Sequence, residues 1–293
     1  MLDCKVIELS DKPWIDKLLA MSDFMGCEYC FANNYAWRKL YKTQISRYKD
    51  FYVSCSYKYG MRFTFPAGQG DYKDLFIQLK KCAEEKNSPL IVTSVTNDKL
   101  ELFNELFPGQ FTVENDDSYN DYIYNASDLR DLKGKKYHQK RNHLKKFYEN
   151  NWQFSLMTEK DYDDCIEFAV KSYNQNNAYD DESSVSEQFA INTFFSSFEQ
   201  LNLKGGVIRI DGKVVAFTIG EGINSNTFCI HIEKADTSYQ GSYPAINNEF
   251  AKAATDGYKY INREEDLGIE GLKRSKRSYY PAFMLVKNTV IFK

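Results

Sequence analysis

The sequence predicts an α/β (α+β) protein of two domains, each a mixed sheet flanked by helices. Three observations lead there. From residue 206 onward the strand and helix signals run strand-strand-strand-helix-strand-helix-strand. The first half carries a weaker copy: hairpin, helix, strand, helix, strand. Between the halves the charge reverses, with an acidic stretch (residues 114–131) followed by Lys133 to Lys146, which holds seven Lys or Arg, two His and no acid. A chain of 293 residues suits two such domains, and at this size burial of roughly 75% of the unfolded surface makes staples unnecessary.

In chain order, residues 13–21 form an amphipathic helix that Ser10 or Asp11 can cap. Residues 31–41 carry Phe31, Tyr35, Trp37 and Tyr41 in a helical stripe suited to a core. Residues 51–65 alternate as a hairpin around Tyr59-Gly60. Residues 72–86 place Leu75, Leu79 and Cys82 on one helical stripe, and a buried-type strand (90–95), a short helix (99–106) and a strand (111–113) follow. The division this implies is a first domain over 1–131, a basic connecting helix over 132–150 and a second domain over 151–293.

The basic helix starts after Gly134. Tyr137, Leu144 and Phe147 can point inward, which leaves Lys136, Lys140, Arg141 and Lys145 outward, as a solvated connector or an anion-binding face. In the second domain, residues 161–173 and 186–201 read as helices, and Asp211-Gly212 suits a type I′ turn between two strands. Residues 228–234 alternate, 242–255 form a helix, and a strand begins at Tyr258. That strand runs into Asn262, Arg263, Glu264, Glu265 and Asp266, then a helix with Lys273, Arg274, Lys276 and Arg277 that Pro281 stops; a last strand covers 284–292. Charges this dense must be solvated, paired with each other, or matched by a ligand. Strand carboxyl ends are where open α/β sheets place ligands.

Composition narrows the function. A net charge of −3 and a pI near 5.8 argue against a dedicated DNA or RNA binder, although a local basic patch can still act. The seven cysteines show no framework spacing; Cys27 and Cys30 form a single CxxC far from the three histidines, so no metal site is expected. Residues 1–14 lack the basic and apolar regions of a signal peptide, and no apolar run approaches the length of a membrane span. These features fit a reduced, cytoplasmic protein.

The segments FANNYAWR (31–38), LKGKKYHQKRNHLKKF (132–147) and NREEDLGIEGLKRSKRSYYP (262–281), together with the element order, resemble the soluble domain of phosphatidylglycerol lysyltransferases. The likeness is greatest to stand-alone relatives of that domain. This resemblance implies two tandem GNAT-like domains of the acetyltransferase superfamily, the first degenerate. It also implies acyl or aminoacyl transfer to an amine or hydroxyl, a phospholipid acceptor and peripheral membrane contact being among its options. The donor would lie where the strands at 228–234 and 258–264 part.

In coenzyme-A-dependent relatives a glycine-rich loop cradles pyrophosphate there, and Gln240 and Gly241 are the matching residues. Tyr243 stands where a glycine is expected and Pro244 lacks an N–H, which favours aminoacyl-tRNA over acyl-coenzyme A as donor, with no resident cofactor. On the same resemblance Glu264 and Asp266 are candidates for base or for gripping the donor's α-amine, with Glu233 as second base and Tyr279 as general acid. Arg263, Lys273 and Lys276 would hold phosphate or carboxylate, and Lys136, Lys140 and Arg141 would reach an RNA backbone. His231, beside Glu233, reads as a packed core histidine. An acyl-coenzyme-A-dependent N-acetyltransferase and a non-catalytic anion- or RNA-binding module are the competing readings.

Overall fold

A computed structural model describes residues 2–175 and 182–293. The chain divides into two compact units. The first comprises residues 1–121, 265–269 and 284–293, and the second residues 122–264 and 270–283.

The first unit is built on an eight-stranded sheet. Its strands are β1 (Lys5–Val6), β2 (Gln44–Tyr48), β3 (Phe51–Ser56), β4 (Arg62–Thr64), β6 (Ile91–Val95), β15 (Asn288–Phe292) and β7 (Phe111–Asn115) in spatial order, with β5 (Ala67–Gly68) on β3. All pairings are antiparallel except β4 with β6. Helices α1 (Lys12–Ser22), α2 (Phe31–Ala36), α3 (Arg38–Tyr41), α4 (Tyr72–Glu85) and α5 (Asn97–Leu106) complete it. The Asp71 carboxylate caps α4 by accepting from the Asp74 N–H; of the predicted stripe Leu75 and Leu79 are buried, Cys82 packs on them half-buried, and Phe76 is buried beside them. These join Val92, Phe103 and Phe292 in one aromatic-rich core.

The second unit holds a seven-stranded sheet in the order β14 (Phe283–Leu285), β8 (Asp121–Asn125), β13 (Tyr260–Asn262), β12 (Thr227–Ala235), β11 (Lys213–Gly222), β10 (Lys204–Ile210) and β9 (Trp152–Leu156). Helices α6 (Ala126–Asp131), α7 (His138–Phe147), α8 (Tyr162–Gln175), α9 (Glu182–Ser196), α10 (Ser242–Ala254) and α11 (Glu270–Arg277) accompany it. Asp211 and Gly212 both take positive φ, as the expected I′ turn between β10 and β11 requires.

Three sequence-based assignments change. The final segment splits at Lys287: β14 lies in the second sheet, while β15 inserts between β6 and β7 of the first. Val290 pairs with Val92 on one side and Val113 on the other, and buries in the first core. The 122–124 run, unassigned from sequence, is the β8 strand that pairs with β13. The boundary therefore falls at Asp121 rather than 131, and the last strand belongs with the first unit. Finally, the basic helix is an integral layer of the second unit, not a connector. Tyr137, Leu144 and Phe147 bury against Ile208, Val215 and Ile246.

Candidate functional site

In the second sheet β12 runs parallel to β13, and the pairing lasts three residues: Thr227 with Tyr260, Phe228 with Ile261, Cys229 with Asn262. Beyond that point the strands part, and the next two residues, Arg263 and Glu264, go to different partners.

A β-bulge prepares the fork. Ile219 pairs with Ile232 but Gly220 pairs with Ile230, so β12 carries one extra residue, His231. A side chain at Gly220 would bring its Cβ to 2.3 Å from the Cys229 carbonyl oxygen, so only glycine permits this approach. The bulge aims His231 between two carboxylates. Its Nδ1 lies 2.9 Å from Glu264 Oε1 and its Nε2 3.1 Å from Glu221 Oε1, while its ring stacks on Phe194 at 5.6 Å. The imidazole side chain is fully buried, whereas 19% of the Glu264 side chain is exposed. Two acceptor-facing contacts need two protons, so the trio is either an imidazolium between carboxylates or a neutral imidazole with one carboxylic acid. Either way it can take up and pass on a proton. Glu264 holds a left-handed backbone (φ 57), a cost of about 1–2 kcal/mol, and the Asn262 side chain fixes it by accepting the Glu264 N–H at 2.7 Å.

On the other branch Arg263 is buried and its Nη2 donates to Glu233 Oε1 at 2.8 Å. Glu233 Oε2 accepts from Asn247 Nδ2 of α10 at 3.0 Å. Burial works against the Arg263 charge, but Glu233 and the Tyr124 and Tyr279 rings outweigh it and hold its pKa above the usual value. Two cations lie over the Tyr279 ring, with the Arg263 guanidinium 4.8 Å and the Lys140 ammonium 3.7 Å from its centre. Burial, reinforced by Glu233, raises the Tyr279 pKa, so the phenol keeps its proton. Lys140 donates to Ser278 Oγ at 2.6 Å, and burial together with Arg263 pushes its pKa down to about 8.

The fork thus gathers Glu233, Arg263, Glu264, Tyr279 and Lys140 from the sequence-predicted set. Lys276 lies beneath them, its ammonium donating to the Arg263 carbonyl oxygen. The remaining candidates go elsewhere. Asp266 belongs to the first unit and accepts the Gly268 N–H of its own turn at 2.9 Å. Lys273 is half-buried on α11 with no ion pair among the described residues. Lys136 pairs with Asp128 at 3.3 Å. Arg141 Nη1 donates to the carbonyls of Leu132 and Gly134, bracing the turn that starts its helix. Lys140, expected outward, turns inward to Tyr279, because it lies one turn from both Tyr137 and Leu144 and so shares their buried face.

Gln240 is exposed, and Gly241 caps α10 with φ 92. A Cβ at Gly241 would lie 2.3 Å from the His143 carbonyl oxygen, so this glycine allows α10 to pack on α7. The Ser242 N–H donates to Tyr239 and Pro244 has none, which leaves few amides to face a pyrophosphate.

Sequence reasoning missed Glu221 and Asn247 and took His231 for packing. It also missed a second charged cluster, within the first unit. There Lys287 Nζ lies 2.7 Å from Asp121, 2.6 Å from Glu265, 3.4 Å from Glu28 and 3.8 Å from Cys27 Sγ. Burial pulls the lysine pKa down, but these groups raise it well above the usual value, so the ammonium stays charged. Burial and the neighbouring carboxylates push Asp121 up to about 6 despite Lys287. Cys27, Asp121 and Glu265 present metal-type donors, but the lysine ammonium already sits among them. Cys229 Sγ, His231 and Glu264 also place donor atoms within 4.8 Å of one another, the element types zinc takes, with Nδ1 and Oε1 at hydrogen-bond spacing.

Two mixed sheets with flanking helices, one per unit, define a tandem GNAT-type fold. A tandem GNAT protein from the clavulanic acid biosynthesis pathway superimposes with a TM-score of 0.51 and 8% identity over 99% of this chain and 98% of its own. Residues 20–287 match the family model of the C-terminal region of phosphatidylglycerol lysyltransferase, and the chain belongs to that family. The structure of L-PGS from Bacillus licheniformis aligns with a TM-score of 0.68 and 14% identity, covering 99% of this chain and 94% of that one. A conserved protein of unknown function from Bacteroides thetaiotaomicron VPI-5482 matches over the full length of both chains at 36% identity and a TM-score of 0.96. An uncharacterized protein of Mycoplasmoides gallisepticum is 24% identical over 182 residues, which span 59% of this chain and 56% of that relative. Among the described residues no helix is long and apolar enough to cross a membrane.

Proposed function

We propose that the second unit transfers an aminoacyl group from a charged tRNA to an amine or hydroxyl acceptor, a phospholipid head group included. The observation that carries this reading is the division of labour at the fork. Consecutive residues present a buried cation, Arg263, and a carboxylate, Glu264, wired to a buried histidine. The acceptor's nucleophilic atom attacks the ester carbonyl carbon, and its proton passes to Glu264 with His231 and Glu221 behind. Arg263 polarises the carbonyl oxygen and holds the oxyanion. The carbon–oxygen bond to the tRNA then breaks, the Tyr279 hydroxyl gives a proton to the departing oxygen, and solvent returns the proton gained at Glu264 to the Tyr279 phenolate as the products leave. Glu233 is ill placed as the base because Arg263 and Asn247 occupy its two oxygens.

Membership in the lysyltransferase family supports the choice of donor, as does the blocked start of α10. The test is transfer of radiolabel from a pool of charged tRNAs to phosphatidylglycerol vesicles and to free amines. Wild type should transfer at least one amino acid, and Glu264→Gln should slow that transfer about 10²–10⁴-fold. Transfer from acetyl-coenzyme A but from no charged tRNA would reverse the assignment of the donor.

A further inference from the structure

Among the described residues, three buried side-chain polar atoms lack a hydrogen-bond partner: Tyr52 Oη, Asn247 Oδ1 and Arg263 Nη1. Two of the three flank one carboxylate. Glu233 anchors Arg263 through Nη2 and Asn247 through Nδ2, which leaves the other end of each planar group unused. Turning the Asn247 amide over would set its oxygen against the Glu233 carboxylate, so Glu233 fixes which atom remains. Both residues are more than nine-tenths buried, with Arg263 at 8% and Asn247 at 1% exposure. Leaving such groups unsatisfied is costly, and a molecule that pairs with them recovers that cost.

The unused pair is one cationic donor and one neutral acceptor. A simple acyl group has a carbonyl oxygen for the donor but no N–H for the acceptor. An α-aminoacyl group has both, its amine one carbon from its carbonyl. We propose that Arg263 Nη1 and Asn247 Oδ1 form the recognition subsite for an α-aminoacyl group, Arg263 taking the carbonyl oxygen and Asn247 the α-ammonium. Glu233 orients both and supplies the countercharge. The proposal rests on the transferase reading above and adds to it the residue that separates aminoacyl from acyl donors.

The probes are amino-acid methyl esters and their des-amino counterparts, which lack the α-amine but keep the carbonyl and side chain. Neither carries a carboxamide that could imitate the amine. Binding is followed by ligand-observed NMR and calorimetry at mildly acidic pH, where the α-amine holds its proton. At least one amino-acid ester should bind the wild type ten-fold or more tightly than its des-amino form. Asn247→Leu should erase that difference and leave the des-amino ester unchanged. Arg263→Lys, which keeps a cation beside Glu233 but loses Nη1, should weaken both esters alike, and it covers the case in which Asn247→Leu does not fold. Equal binding of the two esters, an unchanged preference in Asn247→Leu, or no binding of any ester would overturn the subsite. Transfer from charged tRNA that proceeds normally in Asn247→Leu sinks the subsite alone. Ester binding as described without transfer from any charged tRNA sinks the transferase reading alone.

Discussion

Two buried charge clusters draw on the same charged segment, one residue apart. Glu264 and Arg263 serve the fork of the second unit, and Glu265 serves the Lys287 cluster of the first. In the Lys287 cluster one ammonium meets three carboxylates and a thiol, and none of its side-chain atoms is orphaned among the described residues. At the fork, Arg263 and Asn247 are held just as firmly, yet each keeps one polar atom in reserve. Density of charge is therefore a poor guide to function. What separates the two clusters is whether the valences close internally.

The comparison can be broken where the effect is largest. At the Lys287 cluster, Lys287→Ala leaves the buried Asp121 and the half-buried Glu265 and Glu28 without their cation and should cost about 3–5 kcal/mol of stability. Urea unfolding followed by circular dichroism measures it. A loss under 1 kcal/mol would mean that water reaches the cluster and that its closure is not structural. A smaller effect sharpens the fork. The Lys140 pKa of about 8 lies below its ordinary 10.5, so the folded state gives up this proton first. Stability should therefore rise with pH between about 8 and 10.5, where the unfolded chain still binds the proton and the native one does not. Lys140→Gln should flatten that rise. Thermal melts across this window check the sign, and a fall in wild-type stability attributable to Lys140 would contradict the inward placement over Tyr279.

Much of this was legible in sequence, and the reasons for the rest are specific. Residues 262–281 announced themselves through charge density, and Arg263, Glu264 and Tyr279 do meet at the fork. Their partners did not, because His231 lies 33 positions before Glu264 and nothing local marks a bulge. Asn247 is one of two adjacent amides in α10, and only its contact with Glu233 gives it meaning. The run at 290–292 reads as strand material but alternation says nothing about which sheet receives it, and the short 122–124 run is hidden inside an acidic stretch that carries no strand signal of its own. The basic run after Gly134 forms the expected helix with the expected inward stripe, yet Lys140 joins the buried side because Tyr279 and Ser278 offer it a surface and a partner.

The crossed strands have a consequence for how the molecule comes into being. β8 follows the first sheet in sequence but completes the second, and β15 follows the second but completes the first. During synthesis the first sheet lacks the strand between β6 and β7 until residues 288–292 have left the ribosome, so two hydrogen-bonding edges stay open for most of translation. The arrangement binds the fate of each half to the other: residues 1–131 made alone should show no cooperative thermal transition, and mixing them with 132–293 should restore one. A cooperative melt from 1–131 alone would show that the interleaved strand is dispensable.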